Sequence, residues 1–173
     1  VEYHRPHLKF TGNYTLSKAT RQGNLHDQIY PFYFDQRHRA GANLVFHPFL
    51  DRGWVPTLIQ VDWRYATGRP LTIPEAIYVD PMGQLLLQFG DINAARLADS
   101  HSLNLRLEWE RTIGGSSGTR LSWYLSAWNV YGHPNPLDIG FSIDPNQTGA
   151  VTLITQESLP FFIPLGFSFY LGQ

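Results

Sequence analysis

One stretch constrains this chain more than any other. In Ser102-Leu103-Asn104-Leu105-Arg106-Leu107-Glu108-Trp109-Glu110-Arg111, positions 103, 105, 107 and 109 are Leu, Leu, Leu and Trp, and the residues between them are polar or charged. A β-strand sends successive side chains to opposite faces, so this run has one greasy face and one charged face. In a soluble sandwich the greasy face meets a second sheet. In an outer-membrane barrel it meets lipid, the polar face lines a wet lumen, and about 9–11 tilted residues span the bilayer. The length of the run, its charged inner face and its terminal Trp favour the barrel.

The same alternation places about six membrane-length strands along the chain. The first lies near residues 7–17, with Leu8, Phe10, Gly12, Tyr14 and Leu16 on one face. The second lies near 37–47 and the third near 57–65, where Ile59, Val61, Trp63 and Tyr65 oppose Gln60, Asp62 and Arg64. The fourth is the 102–111 run. The fifth, near 121–131, alternates cleanly through Leu121, Trp123 and Leu125, then loses its register after Ala127, where a bulge is expected. The sixth lies near 162–171, with Leu165, Phe167, Phe169 and Leu171 against Gly166, Ser168 and Tyr170. Residues 137–143 and 150–155 read as a small hairpin, and the 36-residue stretch 66–101 as a long structureless connection broken by Gly68-Arg69-Pro70 and Asp80-Pro81. Connections therefore alternate long, short, long, short, long, the asymmetry of outer-membrane barrels with long extracellular loops and short periplasmic turns. The last strand descends, which puts the C-terminus in the periplasm.

Composition removes other classes. The formal net charge is -1 over 173 residues, which gives no electrostatic case for nucleic acid. Mean hydropathy is -0.23 and no apolar stretch approaches the roughly 18 residues of a membrane helix, a test that leaves barrels untouched. Aromatics make up 14 % of the chain, enough for girdles at both interfaces. With no cysteine there is no thiolate metal site or Cys nucleophile. The seven histidines have no compact ligand spacing, Ile113–Thr119 is Gly- and Ser-rich but lacks the Lys-Ser/Thr of a phosphate loop, and no nucleophile elbow is present. The expectation is a protein that is not an enzyme, with no catalytic residues, no metal and no cofactor. The first residues carry no signal peptide, so an outer-membrane protein would have lost it or would begin further upstream.

Several segments together resemble the C-terminal part of a TonB-dependent outer-membrane receptor. They are Tyr14-Thr15-Leu16-Ser17-Lys18-Ala19, Phe34-Asp35-Gln36-Arg37-His38, Trp63-Arg64-Tyr65-Ala66-Thr67-Gly68-Arg69-Pro70-Leu71-Thr72, Asp91-Ile92-Asn93-Ala94-Ala95-Arg96-Leu97 and Ala127-Trp128-Asn129-Val130-Tyr131. Their order and spacing cover nearly the whole chain, and the flavour is that of receptors carrying a carboxypeptidase-regulatory-like N-terminal domain. The resemblance implies that residues 1–173 are the C-terminal section of the barrel, with the plug domain and the N-terminal barrel strands absent from this chain. It implies as partners the rest of the barrel and the plug, the TonB complex, outer-membrane lipid, and the barrel assembly machinery acting through the C-terminal strand. That family ends in an aromatic residue, whereas this chain ends Leu171-Gly172-Gln173. Six strands fall short of the eight of the smallest usual bacterial barrel, so the first and last strands need partners from other polypeptide.

The expected site is thus a wall. Gln60, Asp62, Arg64, Asn104, Arg106, Glu108 and Glu110 face the lumen, where charges pair with neighbours and water. Ile59, Val61, Trp63, Leu103, Leu105, Leu107, Trp109, Phe167 and Phe169 face lipid. The aromatic cluster Tyr30-Pro31-Phe32-Tyr33-Phe34 sits at the membrane interface or packs under neighbouring loops. The expected function is uptake of a bulky nutrient in the bacterial outer membrane. The alternative is a barrel fragment acting as a structural or interaction subunit without transport. A soluble ligand-binding sandwich ranks last, because it must explain charges on every inner face.

Overall fold

A computed structural model describes residues 1–23, 28–48, 55–113, 118–143 and 151–170. The chain is all-β and antiparallel, and no helix occurs among the described residues. The main sheet has seven strands in the order β1 (Glu2–Arg5), β2 (Leu8–Leu16), β5 (His38–Phe46), β6 (Leu58–Ala66), β11 (Ser100–Ile113), β12 (Thr119–Ala127) and β15 (Leu165–Tyr170). Six of these are the strands that alternation marks in the sequence. The seventh, β1, is an addition to them: a four-residue hairpin arm on β2, extended by mutual hydrogen bonds between Val1 and Gly12. The sheet is open, with β1 at one edge and β15 at the other.

Every neighbouring pair in the sheet is antiparallel, and short connections alternate with long ones. The short links β1–β2, β5–β6 and β11–β12 gather at one rim, and the long links at the other. The long links carry structure of their own. Between β2 and β5, β3 (Thr20–Gln22) pairs with β4 (Ile29–Pro31). The stretch 66–101 is not structureless. Within it β7 (Pro70–Leu71) pairs with β10 (Ala95–Arg96), and β8 (Pro74–Val79) with β9 (Leu85–Phe89). The β8–β9 turn closes because the Asp80 carboxylate accepts the amides of Met82 and Gln84, with Gly83 at φ +81°. The third long link holds the expected hairpin, β13 (Pro136–Ile143) with β14 (Val151–Glu157). The turns expected around 48–53, 113–118 and 144–149 lie wholly or partly outside the described residues, as does Leu171.

β12 ends at Ala127, four residues short of the sequence expectation. Leu105 opposes Ala127, so an unbroken ladder would bring Asn129 to Leu103. Instead the Val130 amide takes the Leu103 carbonyl, and the Asn129 amide goes to the Asn104 side chain. Asn129 has φ +50°, the left-handed conformation that Asn tolerates. The extra residue is the expected bulge. The last strand begins at Leu165 rather than Phe162, because Phe162 meets Trp128 in an isolated bridge and Pro164 follows.

Directly paired residues share a face, and the register sorts the centre of the sheet into an apolar and a polar face, with Val45, between Lys9 and Gln60, as an apolar residue on the polar one. One row reads Phe10, Leu44, Val61, Leu105 and Ala127; the next reads Leu8, Phe46, Ile59, Leu107, Leu125 and Leu165. On the other face, one row reads Thr11, Asn43, Asp62 and Asn104, and another Asn13, Gly41, Arg64 and Ser102. Among the described residues, no hydrophobic side chain of the apolar face is buried. Among the described residues only Val55 and Leu97 are buried hydrophobics, while Asp35, Ser126, Asn129 and Asn135 are buried polar residues.

Candidate functional site: the polar face and its rim

Register places Gln60, Asp62, Arg64, Asn104, Arg106, Glu108 and Glu110 together on the polar face. Ile59, Val61, Trp63, Leu103, Leu105, Leu107, Trp109 and Phe167 occupy the opposite face, and Phe169 takes the register position across from Leu121. Several charges on the polar face are paired. Arg106 donates Nη2 and Nε to Glu108 at 2.9 and 3.2 Å, with its guanidinium stacked 3.8 Å above the Tyr124 ring. Glu110 meets Arg120 at 3.3 Å. Arg64 Nε stands 2.7 Å from Asp62 Oδ1, outside hydrogen-bonding alignment, so this buried oxygen keeps an open acceptor position. Such pairs add little stability when exposed, but they leave the face without a strong field of one sign.

A strap folds back over this face from the long-link rim. It is the segment 128–135, which the bulge turns out of the sheet. Asn129 ties it internally by donating Nδ2 to the His133 carbonyl at 2.9 Å and accepting the His133 amide at 3.2 Å. Asn135 Oδ1 accepts the His101 amide at 2.7 Å and joins the strap to β11. Two hollows of about 700 and 980 Å³ lie against this face, both lined by Asp62, Arg64 and Ser102 of the sheet and by Asn135, Leu137 and Ser158. These hollows put the concavity on the polar side of the sheet.

The rim above is held by a second network. Asp35 accepts the Ala19 amide at 2.7 Å and Arg96 Nη2 at 2.5 Å, while Arg96 Nη1 bonds the carbonyls of Asp35 and Gly68 at 3.0 Å each. Burial pushes the Asp35 carboxyl up, but the Ala19 amide and the Arg96 guanidinium outweigh it and hold the group below its ordinary value. Asp99 is held low in the same way, by the Tyr65 hydroxyl first and then the Gly68 amide. Gly68 is obligatory here, since a Cβ would run into the Leu97 carbonyl. Asn93, at φ +56°, spans two links by donating Nδ2 to the Pro31 carbonyl and its amide to Thr72. The aromatic cluster packs into this rim, with Arg69 over the Tyr33 ring at 5.0 Å and Phe34 left exposed.

Two of the seven histidines come together in a way that their spacing conceals. The rings of His101 and His133 are 3.7 Å apart, with His101 Nδ1 at 2.9 Å from the Tyr131 hydroxyl and His133 Nδ1 at 3.1 Å from Asn135. No group of three His, Asp or Glu side chains suited to a metal gathers among the described residues. Sequence reading missed Asp35, Arg96, Asp99, Asn129 and Asn135 as individual residues. The only advance signal for them was that several sit in the receptor-like segments. No family model, curated protein or solved structure matches the chain.

Proposed function

We propose that the chain is the C-terminal part of the wall of a TonB-dependent receptor-type barrel in a bacterial outer membrane, serving uptake of a bulky nutrient. The observation that carries this reading is the bare apolar face, with only Val55 and Leu97 buried as hydrophobics among the described residues. A water-soluble sheet of this size covers its greasy face with a second layer. A bilayer covers it with none, and backbone groups inside lipid are satisfied by strand pairing.

Aromatic residues border the apolar band. From Leu103 to Trp109 it is bordered by the stacked Trp63–Tyr65 pair on the long-link side and by the stacked Trp109–Trp123 pair on the other. Beyond Trp109 the apolar face carries Arg111, at the short-turn rim, and Arg5 stands directly opposite Leu8 on the edge strand. Aromatic borders followed by long cations are how a barrel meets its interfaces. In this reading the paired charges line the lumen and the structured long links face outward. The substrate passes without covalent chemistry. The plug, the remaining barrel, the TonB complex and the assembly machinery are the partners that the receptor-like segments imply.

The test is accessibility in membranes. L105C should resist a water-soluble maleimide and R106C should react. A wet position 105 with a protected position 106 would overturn the reading.

A further inference from the structure

The β8–β9 and β13–β14 hairpins differ in charge from the rest of the chain. Residues 70–95 and 136–157 hold six of the 14 acidic residues and none of the 13 Lys and Arg. The cations that flank the first hairpin are engaged at its base. Arg69 lies over the Tyr33 ring and donates to the Leu137 carbonyl, and Arg96 is bound to Asp35. Glu75, Asp91, Asp138 and Glu157 are all exposed. The same hairpins also present apolar side chains to solvent. Val79 is 62 %, Phe89 51 % and Ile154 56 % exposed. Phe89 meets Phe141 edge-on, with ring centroids 6.1 Å apart, so apolar surface of one hairpin adjoins that of the other. Each hairpin is a sheet of two strands, which leaves every strand one backbone edge outside its ladder.

We infer that the adjoining hairpins are a docking surface for a cationic amphipathic polypeptide, bound in extended form. Three features select this partner. The exposed aliphatic and aromatic side chains call for apolar groups. The carboxylates, unbalanced by any cation on either hairpin, call for Lys or Arg. They repel a nucleic acid, a phosphate-bearing membrane surface and a second copy of the same surface. The strand edges call for a backbone, which an extended segment supplies with side chains alternating between the two chemistries. Docking would also cover edges that otherwise invite aggregation. The surface has this chemistry whether or not the main sheet spans a membrane. In a barrel wall it stands on the outer side, and the partner arrives from outside the cell.

The test uses the full polypeptide in a nonionic detergent, which removes anionic lipid as a competitor for cationic peptides. The probe is a short fluorescein-labelled peptide alternating Lys and Leu, followed by anisotropy. It should bind, and peptides alternating Glu and Leu or Lys and Ser should bind about tenfold more weakly or worse. E75K/D91K/D138K/E157K changes exposed positions outside the main sheet. It should lose about tenfold or more in affinity for the Lys–Leu peptide and gain as much for the Glu–Leu peptide, a reversal that a misfolded protein would not give. F89S should weaken the Lys–Leu peptide about tenfold. Equal affinity of the parent and the charge-reversed protein for the Lys–Leu peptide, Lys–Ser binding as tight as Lys–Leu binding, or no binding overturns the proposal. So does self-association of the parent that F89S abolishes, which would give the surface to a second copy. Labelling of L105C and R106C in membranes reports on the wall separately. A dry 105 and a wet 106 with no peptide bound would leave the wall reading standing and remove only the docking surface.

Discussion

Tyr124 lies flat across Gly166, its partner on the neighbouring strand: a Cβ on Gly166 would run into the ring. Glycine inside a strand ordinarily weakens it, but here the vacancy seats an aromatic ring whose other side carries the Arg106 guanidinium. G166A is expected to destabilise the last strand by about 1–3 kcal/mol through overpacking. In a Y124A background the same change should be nearly neutral. Urea unfolding of the four proteins of this cycle in one lipid checks it, and additive effects would remove the pairing from the account.

The rim network predicts an acid-sensitive set of long links. The folded Asp35 and Asp99 carboxyls lie below the ordinary value of 3.8. Each therefore contributes stability that is complete above that value and drains away as pH falls through the lower, folded value. Protection of the Ala19 and Gly68 amides, whose N–H groups these carboxylates accept, measured against the unprotected exchange rate at each pH, should be high at pH 5 and should fall below about pH 4. D35N should exchange faster at Ala19 already at pH 5 and should lose the acid dependence there.

The two faces should tolerate charge very differently. L105R, at mid-height on the apolar face, is expected to cost about 2–4 kcal/mol in a bilayer. S122R, beside Glu110 on the polar face, should cost less than about 1 kcal/mol. Equilibrium unfolding from liposomes measures both. Equal penalties would contradict the assignment of the faces.

Topology can be read from intact cells. Met82 is 85 % exposed at the tip of the β8–β9 hairpin, and His47 lies at the opposite rim beside the short β5–β6 link. An impermeant maleimide should label M82C on whole cells, and H47C only after the outer membrane is permeabilised. The reverse pattern would turn the wall upside down.

The wall was readable in the sequence because each of its strands is an alternating run, and alternation is a local property. Its ends were displaced wherever a non-local contact decided them. β12 stops at Ala127 because Asn104, 25 residues earlier, takes the Asn129 amide. β1 escaped notice because Glu2-Tyr3-His4-Arg5 holds one apolar residue and so has no pattern to read. The β8–β9 ribbon escaped for the opposite reason: Ile77 and Leu87 on one face and Tyr78 and Leu86 on the other make both faces apolar. The rim network was illegible for want of proximity, since Asp35 and Arg96 are 61 residues apart and the burial of Asp35 is a property of two links folded together.

The alternation of faces also limits how such a chain can change length. Inserting one residue in β6 or β11 would send every following side chain of that strand to the wrong medium, whereas two would restore the order and only shift the height. Wall strands should accept length changes in twos. The long links end in hairpins anchored by Asp35, Arg96 and Asn93 at their bases, and beyond those anchors any increment can be absorbed. Variation between relatives of this protein should therefore follow an even-number rule in the sheet and no rule at the hairpin tips. In a single polypeptide this would separate the part that must stay constant from the part that is free to meet new molecules.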